Sequence, residues 1–186
     1  MALGLTRRLF TVEEYYRMVE AGVFSEDDRV ELLEGEIYEM AAIGSRHAAV
    51  VDRLNQIFSP AGGKQYIVRV QSPVRLSRLS EPQPDLAILR HRPDFYAGAH
   101  PTSADVLLIV EVADTTAETD RSVKVPLCAR SGIPEVWLID LAGERVEVYR
   151  SPSPHGYLTQ TRVAGDQMVS PLALPDVVIP VEQILG

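Results

Sequence analysis

The sequence predicts a single α+β domain in which a mixed β-sheet has a parallel crossover at its centre. Three observations lead to this fold class. An apolar run at 105–112, a helical pattern at 118–130 and a second apolar run at 135–140 follow one another, as in a right-handed strand–helix–strand unit. From residue 145 the chain alternates in polarity, which is typical of antiparallel strands. A chain of 186 residues with 46% hydrophobic content can bury the core of one such domain.

The chain begins with a helix and a hairpin. Thr11, followed three residues later by Glu14, forms a capping box and therefore marks the start of a helix. Residues 30–33 and 37–40 read as two short strands on either side of a turn that contains Gly35. These signals predict that a helix and a β-hairpin precede the sheet.

A second helix and several strands are expected to follow the hairpin. Ser45 caps a helix over 47–58, in which the apolar residues fall on one face. Pro126 is expected to kink the later helix over 118–130. The remaining expected elements are strands at 66–71, 74–76, 84–89, 145–150, 157–163, 167–169 and 177–179, and a helical turn at 181–185.

Composition leads us to expect a cytoplasmic protein that does not enter a membrane. No apolar run approaches the ~20 residues that a membrane-spanning helix needs. The N-terminal residues lack the order of basic, apolar and small residues that defines a signal peptide. Cys128 is the single cysteine, which excludes an intramolecular disulfide, and its apolar neighbours predict a buried thiol.

Charge is distributed unevenly along the chain. The net charge of −8 is not typical of a nucleic-acid-binding protein. Residues 13–52 contain eleven acids and three arginines, whereas residues 64–92 contain six basic residues and two acids. The middle of the chain could therefore face a polyanion, although a solvated strand face explains the same pattern.

Two acids at strand ends and one lysine form the candidate site. Asp85 begins a short apolar strand, and Glu111 lies in the apolar run 106–112, where an uncompensated carboxylate is costly to bury. Two such carboxylates can hold Mg²⁺ or Mn²⁺. Lys124 is one of only two lysines among 18 basic residues, and a compact ammonium can approach a reacting water. Alternatively, Asp85 could simply begin a strand, Glu111 could pair with a buried arginine, and Lys124 could be a solvated helix residue.

These motifs in this order resemble the Uma-two family, a bacterial group within the PD-(D/E)XK restriction-endonuclease-like superfamily. The resemblance extends over nearly the whole chain, through the segments 10–15, 30–36, 84–86, 109–112 and 132–140, together with His47, Asp120 and Lys124. It implies a restriction-endonuclease-like core of four mixed strands with a helix on each side. It also implies that Asp85 and Glu111 are metal ligands and that Lys124 is the catalytic lysine.

The chain departs from the superfamily pattern at two positions. The lysine of that pattern is expected at position 113, which is Ala113 here, so Lys124 on the following helix takes its place. The helix must then run back past the end of the strand. Asp114 adds a negative charge beside the site, where it could hold a second metal ion or cap the helix.

Four further residues are weighed as neighbours of this site. His47 matches a histidine that opens the corresponding helix in RecB-like nucleases, so it is a candidate metal ligand or water-positioning residue, or else a core histidine. Glu31 and Glu34 are candidates for the border of the site. Asp120 is expected to be a helix-start acid favoured by the helix dipole.

The resemblance implies a Mg²⁺- or Mn²⁺-dependent endonuclease that hydrolyses phosphodiester bonds of DNA and leaves a 5′-phosphate. Arg69, Arg75 and Arg78 would then contact backbone phosphates, and cleavage of both strands would favour a symmetric homodimer. One alternative is a catalytically silent binding or assembly module with the same fold. Another is a metal-dependent hydrolase that acts on something other than nucleic acid.

Overall fold

The computed structural model describes residues 6–25, 27–62 and 65–186. Lys64 of the basic stretch and the first five residues lie outside these ranges. The first elements are α1 (Val12–Glu20), β1 (Val30–Leu33), β2 (Glu36–Glu39), α2 (Ser45–Gly62), β3 (Tyr66–Val70), β4 (Leu86–Arg90) and β5 (Val106–Ala113). They are followed by α3 (Ala117–Thr119), a π-helical turn (Asp120–Lys124), α4 (Val125–Arg130), β6 (Glu135–Asp140), β7 (Arg145–Ser153), β8 (Gly156–Ala164), β9 (Met168–Val169), β10 (Ile179–Pro180) and α5 (Val181–Leu185).

Six strands form one mixed sheet in the order β3-β4-β5-β6-β7-β8. Only β5 and β6 are parallel neighbours, and the helical segment 117–130 connects them. The expected fold class and central crossover are therefore confirmed. The C-terminal hairpin β7–β8 extends the same sheet, so the sheet has six strands rather than the four of the implied core. No helix among the described residues is long and apolar enough to cross a membrane.

The central strand β5 divides its side chains between two layers. Leu108 and Val110 pack in the core that contains α2, whereas Ile109 packs in the core that contains α4. Because successive strand residues point to opposite faces, Glu111 lies on the same face as the helical segment 117–130. The sheet therefore directs this acid towards the helix that carries Lys124.

The hairpin β1–β2 also has two different faces. Its turn residues Glu34 and Gly35 have φ angles of 51° and 82°, as a two-residue type I′ turn requires. Val30 and Leu32 pack against α1 in a small core of their own. Glu31 alternates with these residues and therefore lies on the opposite face of the hairpin.

Several elements differ from the expectations. Residues 74–76 do not form a strand, because Arg75 makes only an isolated bridge with Thr102 and the N–H groups of Val74 and Leu76 donate to carbonyls of the loop 80–82. Helix α2 begins at Ser45 itself and continues through Pro60, beyond the expected end. Pro60 is exposed in the last turn, so the backbone hydrogen bond lost there does not end the helix.

The helix after β5 contains a π-helical turn where a kink was expected. The Val125 N–H donates to the Asp120 carbonyl five residues earlier, which defines the wider turn. Pro126 follows at the start of α4, where a missing N–H costs little. The extra residue in this turn shifts the register between Asp120 and α4, so the helical face that carries Lys124 differs from that of a regular α-helix.

Glu147, fully buried in β7, is held by several donors. The Nε atoms of Arg121 and Arg145 each donate to its carboxylate at 3.0 Å, and the Tyr149 hydroxyl donates at 2.6 Å. Burial alone would raise the pKa of Glu147, but the hydrogen bonds from Arg121, Tyr149 and Arg145 outweigh it and lower the pKa to about 2. Glu147 therefore connects the crossover helix to the C-terminal hairpin.

We expect Glu147→Gln to flatten the acid dependence of stability. Since the folded pKa of Glu147 is below its ordinary value of 4.5, its contribution is present above pH 4.5 and is lost as the pH falls towards 2. Urea unfolding at pH 5, 4 and 3 measures this loss in the wild type and its reduction in the variant. Exposed Glu182→Gln serves as the control, and parallel pH curves for wild type and Glu147→Gln would contradict the assignment.

Candidate active site

A cleft of about 270 Å³ opens where the hairpin β1–β2, the first turn of α2, the end of β5 and the crossover helix meet. His47, Asp85, Glu111 and Lys124 all line it. Residues from four separate parts of the chain therefore reach one concave site. Deep parts of the cleft are polar, and the segment 40–44 forms a largely apolar part of its wall.

Lys124 is surrounded by carboxylates. Its Nζ lies 3.1 Å from Glu31 Oε1, 3.4 Å from Glu111 Oε2 and 4.0 Å from Asp120 Oδ1. Glu111 comes from the central strand, Glu31 from the hairpin and Asp120 from the π-helical turn. The lysine on the helix therefore does reach the acid of the central strand.

Burial and charge act on the ionisation of these groups in opposite directions. Burial raises the pKa of Glu111 well above its ordinary value, even though the Lys124 ammonium opposes that shift. Burial also raises the pKa of Asp120. Burial disfavours the Lys124 ammonium, but the charges of Glu111, Glu31 and Asp120 outweigh it, so the pKa of Lys124 is raised. Lys124 is accordingly a permanent cation within an acidic site.

Asp85 is fixed by donors from two other elements. Its Oδ2 accepts the Val112 N–H at 2.8 Å and lies 3.0 Å from His47 Nε2. Its other oxygen lies 3.4 Å from the Gln71 side-chain amide. The hydrogen bond with Asp85 raises the pKa of His47. His47 Nδ1 is buried and has no hydrogen-bond partner among the described residues. The carboxylate therefore has a defined orientation at the start of β4.

Glu31 connects the two halves of the site. One of its oxygens contacts Lys124, and the other accepts the Gln83 N–H at 3.1 Å, two residues before Asp85. Only 4% of Glu31 is exposed, so this carboxylate acts in a largely desolvated environment. Glu31 is thus an internal part of the site rather than its border.

The other candidate residues have varied positions. Asp114 is exposed on the rim of the cleft. Glu34 lies outside the cleft lining, and its exposed side chain forms an ion pair with Arg130 at 2.8 Å. Asp120 is the first residue of the π-helical turn, as expected of an acid near the start of a helix, and it is also buried beside Lys124. The spacing of four residues between Asp120 and Lys124 was the signal that could have predicted this contact.

None of the three arginines expected to contact DNA lines the cleft. Arg75 is tied to Glu81, and Arg69 donates to the Phe95 carbonyl at 2.9 Å. Arg78 is exposed. Contact of these residues with a nucleic-acid backbone stays a prediction, and the geometry places them outside the wall of the site.

The donor set suits a hard cation that keeps part of its water shell. Within residues 6–25, 27–62 and 65–186, no group of three or more His, Cys, Asp or Glu residues is arranged to hold a metal ion. Mg²⁺, however, is commonly bound by one or two carboxylates together with waters and substrate phosphate. Four buried carboxylates, from Glu31, Asp85, Glu111 and Asp120, line the same cleft as one lysine. A divalent cation between Asp85 and Glu111 would balance this excess of negative charge.

Comparison with known proteins agrees with this fold. The sequence model of the Uma2 family, described as "Putative restriction endonuclease", matches residues 12–182. The fold is similar to a crystal structure described as a putative nuclease belonging to DUF820 from Anabaena variabilis ATCC 29413, with a TM-score of 0.70 and 15% sequence identity. That match covers 95% of this chain and 97% of the other. No curated protein matches the sequence significantly.

We expect Lys124→Met to destabilise the fold by about 3–5 kcal/mol near neutral pH, because Glu31, Glu111 and Asp120 lose their shared cation. Urea unfolding at pH 5 and pH 8 measures the effect. In the folded protein the pKa of Glu111 is above its ordinary value of 4.5. Protonated Glu111 therefore stabilises the fold at low pH, and this stabilisation is lost as the pH rises. The defect should therefore be larger at pH 8 than at pH 5.

Arg130→Met is the matched control for this variant. Arg130 lies on the same helical segment, but its ion pair with Glu34 is exposed, and such pairs contribute about 0–1 kcal/mol. An equal loss of stability in both variants would contradict the special role of Lys124. So would a Lys124→Met defect that does not change between the two pH values.

Proposed function

Because the chain belongs to the Uma2 family, we propose that it is a Mg²⁺- or Mn²⁺-dependent endonuclease that hydrolyses phosphodiester bonds of DNA. One observation carries this proposal. Lys124 extends from the crossover helix to within 3.4 Å of Glu111, in the same cleft as Asp85. Two acids that can hold a metal ion and a lysine that can stabilise negative charge are suited to metal-assisted phosphodiester hydrolysis.

Asp85 and Glu111 would hold the metal ion. When bound, such an ion polarises the scissile phosphate and stabilises the negative charge that develops on it. The hydrogen bonds from the Val112 N–H and from His47 orient Asp85 for this role. His47 is then a positioning residue for Asp85, at the entrance to the site.

Lys124 would orient the attacking water and stabilise negative charge. The carboxylates of Glu31, Glu111 and Asp120 raise its pKa, so the side chain donates hydrogen bonds and does not accept a proton from water. Glu31 and Asp120 keep the ammonium in place as counter-charges. In-line attack on the phosphate would leave a 5′-phosphate on the product.

A catalytically silent module is the second candidate. It is favoured by the position of the Lys124 ammonium, which already compensates the acids in the way that a metal ion would. The net charge of −8 also opposes tight binding of a polyanion. A homodimer stays a prediction, and it is required only if both strands of a duplex are cut.

Calorimetric titration of Mn²⁺ into wild type and Asp85→Asn tests the metal site. We expect saturable binding to the wild type and an affinity at least about tenfold lower for the variant, because one of two carboxylate ligands is lost. Glu182→Gln, which removes an exposed acid on α5, should bind as the wild type does. Absence of saturable binding to the wild type would refute both the metal site and the nuclease proposal.

Nicking of supercoiled plasmid then distinguishes an enzyme from a silent module. We expect Lys124→Met to lower the nicking rate by about 10²–10³-fold, at a pH and temperature at which it is folded, while Arg130→Met nicks as the wild type does. A wild type that binds Mn²⁺ but leaves the plasmid intact would support the silent module. Equal nicking by wild type and Lys124→Met would show a contaminant or a wrongly assigned lysine.

A further inference from the structure

The hairpin β1–β2 presents one face to the cleft, and that face carries groups that the proposed chemistry does not use. Glu31 pairs with Tyr38 across the two strands, and the Met40 N–H donates to the Arg29 carbonyl at 2.8 Å just beyond them. Directly opposed residues of a hairpin point to the same face. Arg29, Tyr38 and Met40 line the cleft beside Glu31, and the opposite face of the hairpin is buried against α1.

We propose that this face binds an unpaired nucleic-acid strand, with Arg29 on a phosphate and Tyr38 against a base. The inference rests on the proposed function and names its substrate class. It adds Arg29 and Tyr38, as substrate-binding residues, to the proposed metal ligands and Lys124.

Charge argues against a duplex in this cleft. Among the residues that the structure describes, the lining contains six acids, Glu31, Glu39, Asp85, Glu111, Asp114 and Asp120, but only two permanent cations, Arg29 and Lys124. Lys124 is already surrounded by three carboxylates. Proteins that bind duplex DNA commonly neutralise about 6–10 phosphates. The cleft therefore has one cation left for a substrate phosphate, which suits a short contact with a single strand.

Arg29 is held in a position to make that contact. Its Nη1 donates to the Ala41 carbonyl at 2.9 Å, which fixes the guanidinium along the wall. It forms no ion pair with any carboxylate of the residues that the structure describes, unlike Arg75, Arg121 and Arg145. The rigid guanidinium fork keeps further N–H donors, and this geometry matches phosphate oxygens.

Tyr38 supplies an aromatic surface at the mouth of the cleft. It is 36% exposed, and its hydroxyl is oriented by a hydrogen bond to Glu36 at 2.8 Å. Met40 lies next to it on the same face of the hairpin, so the ring is continuous with the apolar segment 40–44. Stacking of a base on an exposed aromatic ring is typical of single-strand recognition.

The size of the cleft agrees with this assignment. Its volume of about 270 Å³ lies near the lower end of small-molecule sites, which begin at about 300 Å³. A space of this size suits contact with one nucleotide unit of a single strand better than with both strands of a duplex.

Fluorescence anisotropy tests the inference with a labelled 12-nucleotide DNA strand and with the duplex of the same sequence, in Ca²⁺ to slow cleavage. We expect the single strand to bind at least tenfold more tightly. Arg29→Ala should weaken its binding at least tenfold and lower the slope of log K against log salt by about 0.7. Tyr38→Ala should weaken binding about 5- to 50-fold with an unchanged salt slope.

Two control variants match these changes in chemistry. Arg46→Ala removes an exposed arginine that pairs with Glu144, and Phe95→Ala removes an exposed aromatic ring, and neither residue lines the cleft. Both should bind the strand as the wild type does. Mn²⁺ calorimetry and thermal unfolding should be unchanged in Arg29→Ala and Tyr38→Ala, which separates lost contacts from misfolding.

The outcomes distinguish this inference from the function on which it rests. If the duplex binds as tightly as the strand, or if Arg29→Ala and Tyr38→Ala bind like the controls, the inference is overturned while nicking still supports the nuclease. If the wild type binds neither DNA and does not nick plasmid, both are overturned. Tighter binding of the strand that depends on Arg29 and Tyr38 supports the inference even where cleavage is slow.

Discussion

The buried carboxylate of Glu111 is the constraint around which the site is arranged. It lies on the central strand of the sheet with 4% of its surface exposed, and burial raises its pKa well above the ordinary value. A charged carboxylate in such a place is costly unless a cation compensates it. Lys124 provides that cation from the crossover helix. Because the neighbouring acids outnumber this one cation, a second cation would be favourable there.

Because the lysine lies on the helix and not on the central strand, the site also depends on the π-helical turn and on the hairpin β1–β2. Ala113, at the position where the superfamily pattern has its lysine, is fully buried against the crossover helix, so a long side chain does not fit there. The π-helical turn shifts the register of the helix between Asp120 and α4, next to Lys124. Glu31 on the hairpin contacts the ammonium and also fixes the loop before Asp85. The hairpin is therefore part of the site, and its remaining cleft-facing groups become candidates for substrate binding.

Much of the fold could be predicted from local sequence signals, because the apolar runs of β5 and β6 and the capping box of α1 act over short distances. Asp85, Glu111 and Lys124 could be proposed because acids in apolar strands are costly to bury and because lysine is rare in this chain. The role of Glu31 could not, because it depends on a long-range contact with Lys124 that no local pattern encodes. The contact of Asp120 with Lys124 has a local signal, the spacing of four residues along one helix. The missing strand at 74–76 has a different cause, since the N–H groups of Val74 and Leu76 donate to carbonyls of the following loop rather than to a neighbouring strand.

A crystal structure determined with Mn²⁺, using its anomalous scattering, would locate the metal ion in the cleft. We expect a single strong peak between the Asp85 and Glu111 carboxylates, at about 2.0–2.3 Å from an oxygen of each, with Lys124 beside it. The same peak should disappear in Asp85→Asn crystals grown under the same conditions. A fully soaked crystal with no peak at these carboxylates, or with a peak only elsewhere in the cleft, would contradict the proposed metal site.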